Sequence, residues 1–346
     1  MRRDFRKIVD KIRSLANELE RSIRIMEVCG THTEAIAKSG LRQAMPANVE
    51  LVSGPGCPVC VTSQKDIDAI VALALNGVPI ACYGDVLSVP GTVMSLAGAK
   101  SKGAQVFTVY SVEDALKICK KNTNLVFFGI GFETTAPMTA SAVKRGLKIY
   151  SAHKLFPPAM IALTQNPRIR IDGFINPGHV STIIGLSPYK KIRKPQVITG
   201  FMPEDVLAAV YMLLLQIKNG ESKIENEYSR LVRPSGNVIA QNLLDEVFLK
   251  KDGEWRGFGK IPDSGLELKP KYKTQDAKVI FRSILEKVKS KTSNKGCVCD
   301  QVIVSCKKPS ECKLFGKICT PENPRGACMV SREGACNVEY RFSSNV

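Results

Sequence analysis

From residue 23 onward the chain alternates short β-rich runs with helix-like stretches, and this rhythm constrains its fold more than any other feature. The runs are IRIMEVCG, VELVSGPG, VPIACYGD, QVFTVYS, NLVFFGIGFE, LKIYSAHKL, IDGFINPGH and KPQVITGF. Between them lie helical patterns such as SQKDIDAIVALALNG, with Thr62 or Ser63 as cap and Gly77 as stop, and PEDVLAAVYMLLLQIKNG, bounded by Pro203 and Gly220. Such alternation calls for parallel sheets covered by helices, because a parallel neighbour is reached only through a crossover connection. The expected class is therefore α/β, with two doubly wound parallel-sheet domains and a small C-terminal domain. The expected divisions are an N-terminal amphipathic helix over 1–22, a first α/β domain over 23–125, a second over 126–290 and a cysteine-rich unit over 291–346.

Many of the β-rich runs end in Gly, Cys, His, Asp or Glu, and open α/β sheets carry their sites beyond the carboxyl ends of their strands. Cys29 and His32 lie in CGTHT directly after IRIMEV; Cys57 and Cys60 lie in GPGCPVC after VELVS. A thiolate and an imidazole together suit a transition metal; Cys29 as a small buried hydrophobe and His32 as a satisfied loop residue is the competing reading. In the CxxC, glycines allow tight turns and Pro58 stiffens the loop, which favours a depressed thiol pKa and reversible disulfide formation; half of a zinc knuckle is the competing reading. All three histidines, His32, His153 and His179, follow strand-like runs, as do Asp85 and Glu133. The carboxylates could exchange protons there, or simply cap the helices that follow. Cys82 and Cys119 sit on apolar patterns and read as core.

Composition matters where the cysteines are concerned. A chain of 346 residues, 44% hydrophobic, can bury real cores without disulfides, yet it holds 12 cysteines. The N-terminus is charged throughout, nothing resembles a signal sequence, and no apolar run approaches the ~18 residues of a membrane span. A cytoplasmic protein is expected, and there so many thiols point to metal or redox chemistry. The net charge of +18 comes from scattered lysines and arginines without interleaved aromatics, so nucleic acid is not an expected partner. After residue 291 seven cysteines crowd together at 297, 299, 306, 312, 319, 328 and 336 among few core residues. No paired CxxC knuckles occur there. Wider spacings such as those of Cys312, Cys319, Cys328 and Cys336 suit a [4Fe-4S] cluster, with zinc and disulfides as alternatives. The chain lacks a CxxxCxxC, a GxxxxGK[ST], a strand-linked GxGxxG and a GxSxG.

Taken together, MEVCGTHT, GPGCPVCVT, YGDVLSVPG, GFETTAP, NPGHVSTIIG, WRGFGKIPDSG and CKLFGKICTPENPRGACMVSREGAC resemble the HypD family of hydrogenase maturation factors, in order, from about residue 23 to 342. The resemblance implies two α/β domains facing a cleft and a C-terminal [4Fe-4S] region. It implies a scaffold, working with a HypC-like small partner, on which Fe(II) of the [NiFe] hydrogenase centre receives CO and two cyanide ligands. A HypE-like protein would donate cyanide, with HypF upstream. Carried over position by position, Cys29 would hold the iron with His32 beside it. Cys57 and Cys60 would form a redox pair, Glu133 and His179 would line the cleft, and Cys312, Cys319, Cys328 and Cys336 would hold the cluster, with Cys299 also on a frequently occupied position. Ser88 and Met202 depart from the family pattern, where arginine and glutamate are usual, and Cys306 is an addition. A cluster-dependent thiol-disulfide oxidoreductase resembling ferredoxin-thioredoxin reductase, using only the CxxC, is the alternative.

Overall fold

The computed structural model describes residues 2–291 and 296–342. Two parallel sheets form its frame. The first has the order β2-β1-β7-β8-β9, from Ile23–Glu27 (β1), Val49–Ser53 (β2), Gly173–Pro177 (β7), Gln196–Thr199 (β8) and Ile224–Asn226 (β9). The second has the order β4-β3-β5-β6, from Ile80–Tyr83 (β3), Val106–Val109 (β4), Val126–Gly129 (β5) and Lys148–Ser151 (β6). Every pairing within these sheets is parallel. The expected α/β class is therefore what the chain forms.

Burial on both faces explains the continuous apolar strands. In β5, Val126 and Phe128 point into a core shared with Met26 and Val28 beside β1, whereas Phe127 packs on the opposite face with Ala140 and Leu116. The other face of the first sheet is covered by the N-terminal helix Arg2–Glu18 and the helix Pro203–Lys218, which bring Ile12, Leu15, Leu207 and Leu213 onto Ile25 and Val197.

The strands do not sort into sheets by a division at residue 125. The chain makes β1 and β2, leaves to build all of the second sheet, and returns for β7 to β9, so residue 125 falls between two strands of one sheet. A separate small C-terminal domain is not seen either, although residues 292–295 and 343–346 of that expected unit lie outside the described set. Val302, Ile303, Cys328 and Cys336 join the same core as β1 and β5. Ser305 Oγ donates to Ser53 O, Arg24 Nη2 donates to Ser305 O at 3.0 Å, and Arg341 pairs with Glu34 at 2.8 Å. The tail thus borrows a core that it cannot build alone. An antiparallel hairpin, Phe248–Trp255 (β10) with Gly259–Leu268 (β11), places the buried Trp255 against Phe132 at 5.9 Å.

His153 is a structural histidine. Its ring lies between Thr139 Oγ1 and Ser151 Oγ, each at 3.3 Å, and fills the space over Gly129, where a Cβ would meet it at 2.6 Å. Burial, with help from Lys154 and Lys278, lowers its pKa from 6.5 to about 3. A lowered imidazole pKa means that the unfolded chain binds the extra proton first. Stability is then fully present above pH 6.5 and is lost as pH falls toward 3, by up to ~1.4 kcal/mol per pH unit. Urea unfolding between pH 6 and 4 should accordingly lose about one proton's worth of slope in His153→Gln; an unchanged slope would contradict this assignment.

Candidate functional site

Parallel pairing decides which loops meet. Glu27 is in register with Ser53 of β2 and Ile175 of β7, and Pro177 with Thr199 of β8. The segments leaving these four strands therefore emerge side by side at one carboxyl edge, carrying CGTHT, GPGCPVC, Gly178–His179 and Gly200–Phe201.

Cys29 stands at the centre of this edge. It is the N-cap of the helix Gly30–Lys38, and its backbone N–H donates to Glu27 Oε2 at 3.1 Å, while Thr33 Oγ1 donates to Glu27 Oε1 at 2.6 Å. The buried Glu27, which carried no signal in the sequence beyond its place in a strand, fixes the turn that presents Cys29. The thiol is 3% exposed, and its Sγ lies 3.7 Å from His179 Nε2. Burial, reinforced by the charges of Glu333 and Glu27, pushes its pKa up to about 12. At neutral pH the thiol is protonated, and a cation arriving there must displace that proton.

Two imidazoles flank an aromatic ring beside the thiol. Phe201 is 5.0 Å from the His179 ring and 4.7 Å from that of His32. The contact of His32 Nε2 with Gly200 O at 2.8 Å makes Nε2 the donor, because a carbonyl can only accept. His32 Nδ1 is then a buried lone pair with no hydrogen-bond partner among the described residues. Burial lowers the His32 pKa to about 4 and lowers that of His179 as well, so both rings are neutral and fit to ligate.

The CxxC loop lies directly on this arrangement. A Cβ on Gly56 would sit 2.3 Å from both Cys29 Cα and Cys29 N, and Gly30 N–H donates to Gly56 O at 3.2 Å. Cys57 and Cys60 are joined as a disulfide, both buried, with the Cys60 N–H donating to Cys57 Sγ at 3.1 Å. Gly56→Ala should force the loop off Cys29 at a cost of ~1–3 kcal/mol and speed alkylation of Cys29 about tenfold or more, read by mass spectrometry. Unchanged labelling would show that this loop does not cover the thiol.

On the far side of the disulfide is a nest of sulfurs. Cys60 Sγ is 3.9 Å from Ala327 O, next to Cys328. Cys297, Cys299, Cys312, Cys319, Cys328 and Cys336 all line one small cavity with Val302, Phe315 and Met329. The four cysteines singled out by spacing are there, joined by Cys297 and Cys299, while Cys306 is exposed and apart. Hydrogen bonds from Cys297 and Cys328 favour the thiolate of Cys299, and the same bonds hold Cys297 and Cys328 protonated. Among the described residues no group of three or more His, Cys, Asp or Glu side chains is drawn together to hold a single metal ion. Even so, six sulfur donors, five of them buried and Cys297 half-buried, and a backbone cradle at Gly326, where a Cβ would meet Cys297 Sγ at 2.9 Å, fit a group held by cysteine thiolates.

Glu133 leaves a strand of the other sheet rather than one of the four at this edge. It follows β5 in the second sheet, and its Oε1 accepts the Phe156 N–H at 2.9 Å, so it caps the helix Phe156–Gln165 rather than the helix Ala136–Lys144 that comes next. The buried Tyr189 feels the charge of both Glu133 and Cys29.

A family model described as "HypD: Hydrogenase formation hypA family" matches residues 3–343. A putative hydrogenase expression/formation protein of Methanocaldococcus jannaschii is 44% identical over 98% of this chain and 97% of its own length. The hydrogenase maturation factor HypD of Escherichia coli is 42% identical over 97% and 94%, and HypD1 of Bradyrhizobium diazoefficiens is 44% identical over 93% and 90%.

Proposed function

The chain belongs to the HypD family of hydrogenase maturation factors, and from that premise we propose that it is the scaffold on which the iron centre of a [NiFe] hydrogenase is assembled. The observation that supports this reading most directly is the setting of Cys29, a buried thiol 3.7 Å from a neutral imidazole, with a second imidazole nitrogen left free nearby and the loop of the Cys57–Cys60 disulfide packed on its backbone.

In this reading the iron is cargo. Cys29 gives up its proton and binds the ion, together with a donor from a HypC-like small partner, and His179 Nε2 is placed to take that proton or to hold the sulfur in line. Glu27 keeps Cys29 at the helix start. The Phe201 ring and the buried surroundings keep water away, which favours soft ligands such as cyanide, delivered by a HypE-like donor with HypF upstream, and CO. When opened, the Cys57–Cys60 pair takes up two electrons and two protons, and it gives them back on closing. A [4Fe-4S] cluster, held by four of the six clustered cysteines, would supply one-electron chemistry next to that pair. Cys312, Cys319, Cys328 and Cys336 remain the first choice of ligands, with Cys297 and Cys299 within the same nest.

No helix among the described residues is long and apolar enough to cross a membrane, and a cytoplasmic place of action belongs to this proposal. The oxidoreductase alternative gains nothing here, because both sulfurs of the disulfide are buried from any protein substrate. Iron content provides the test. Chains purified anaerobically with the small partner should carry iron that Cys29→Ala loses, and equal iron in both would overturn the proposal.

A further inference from the structure

A cavity of about 690 Å³ lies between the helix Phe156–Gln165, the helix Val238–Val247 and the β10–β11 hairpin, and Ile184, at the end of the helix that carries His179, also lines it. Its walls are mostly apolar, with Pro158, Ile161, Ile184, Leu244, Phe248 and Leu266 among them. Glu133 lines it as well and is 2% exposed. Capping Phe156 accounts for only one of its oxygens, since Oε2 has no hydrogen-bond partner among the described residues. Leaving a buried polar atom unmet costs roughly 1–3 kcal/mol, which a purely structural carboxyl has no reason to bear.

The bonding identifies what is missing. Oε1 accepts from a backbone N–H and therefore serves as the carbonyl oxygen of the acid, so the proton belongs on Oε2. Burial favours that protonated form, raising the carboxyl to about 7. In that form the O–H has no acceptor among the described residues and is free to donate to a ligand. Lys191 and Lys250 at the rim, the latter felt at Glu133, oppose a cation, and Asp245 and Asp263 beside them oppose an anion.

We propose that this cavity is a second site of the molecule, taking an uncharged small ligand with an apolar body and a carbonyl or carboxamide head that accepts a hydrogen bond from Glu133 Oε2. The proposal does not rest on the reading of Cys29, and either can fail without the other.

The test titrates the full chain with hexanamide, and with hexanoate and hexylamine as charged counterparts, by calorimetry and by fluorescence of Trp255. That residue is the sole tryptophan, and it stacks on Phe132 beside Glu133. Hexanamide should bind saturably and more tightly than either charged probe. Glu133→Gln, which keeps an acceptor for Phe156 and offers an N–H in place of the O–H, should preserve binding, whereas Glu133→Leu should weaken it about tenfold. Ile161→Trp, which leaves Glu133 intact and fills the cavity, should abolish it. Absence of saturable binding, equal or tighter binding of a charged probe, or wild-type affinity in Ile161→Trp would each overturn the proposal.

Discussion

Cys328→Ala is expected to remove the visible absorption of the anaerobically purified protein and to lower its melting midpoint by about 5 °C or more, while Cys306→Ala changes neither. The contrast follows from placement. Cys328 is fully buried in the shared core, hydrogen-bonded in the sulfur nest with Cys299 and Cys336, and one residue from the carbonyl that meets Cys60. Cys306 is exposed and lines nothing in that cavity. The tail has few apolar anchors of its own, chiefly Val302, Ile303 and Val338, so a bound inorganic group adds its binding free energy directly to the stability of this region. Cavity formation on removing one thiol costs only ~1 kcal/mol, so a larger loss, together with loss of colour, would separate ligand loss from packing. Retention of full absorption by Cys328→Ala would remove Cys328 from the ligand set and leave the remaining five sulfurs to supply it.

Cys29→Ala should abolish maturation more completely than any other single change at the site. In a host that lacks its own copy of the factor, hydrogenase activity is expected to fall about 100-fold or more, with His179→Ala intermediate at about tenfold, as is usual for a residue that supports a metal-binding group rather than supplying it. Both variants should remain folded. Cys29 contributes a small side chain at a helix start whose cap is held by Glu27 and Thr33, neither of which is altered. Wild-type hydrogenase activity with Cys29→Ala would leave the buried thiol a packing residue.

The sequence makes some of this plain and hides the rest for physical reasons. Strands such as VFFG are legible because burial on both faces demands uninterrupted apolar residues. Sheet membership is not legible. Nothing local in IACY or VFFG distinguishes the second sheet from the first, and only the return of the chain at β7 places His179 beside Cys29, 150 residues away. The FLKKDGEW strand was missed because its solvent-facing half is polar and a bulge interrupts its alternation between Lys251 and Gly253. CGTHT and GPGCPVC advertised their chemistry through residue type, and the glycine at 56 is now explained by the close approach of Cys29. Phe201 and Glu27, which hold and shield that thiol, look like ordinary strand-end residues until the register is known. Spacing alone drew attention to four tail cysteines, but convergence of Cys297 and Cys299 on the same cavity depends on the fold around Gly326.

The central claim is that Cys29 holds an iron ion that carries cyanide and CO. Infrared spectroscopy of the complex purified anaerobically with its small partner tests it most directly, in the window between protein bands where metal-bound triple bonds absorb. The account predicts cyanide and CO stretches in the wild-type complex and none in Cys29→Ala. Bands of equal strength in both, or a wild-type complex that holds iron but shows none, would contradict it.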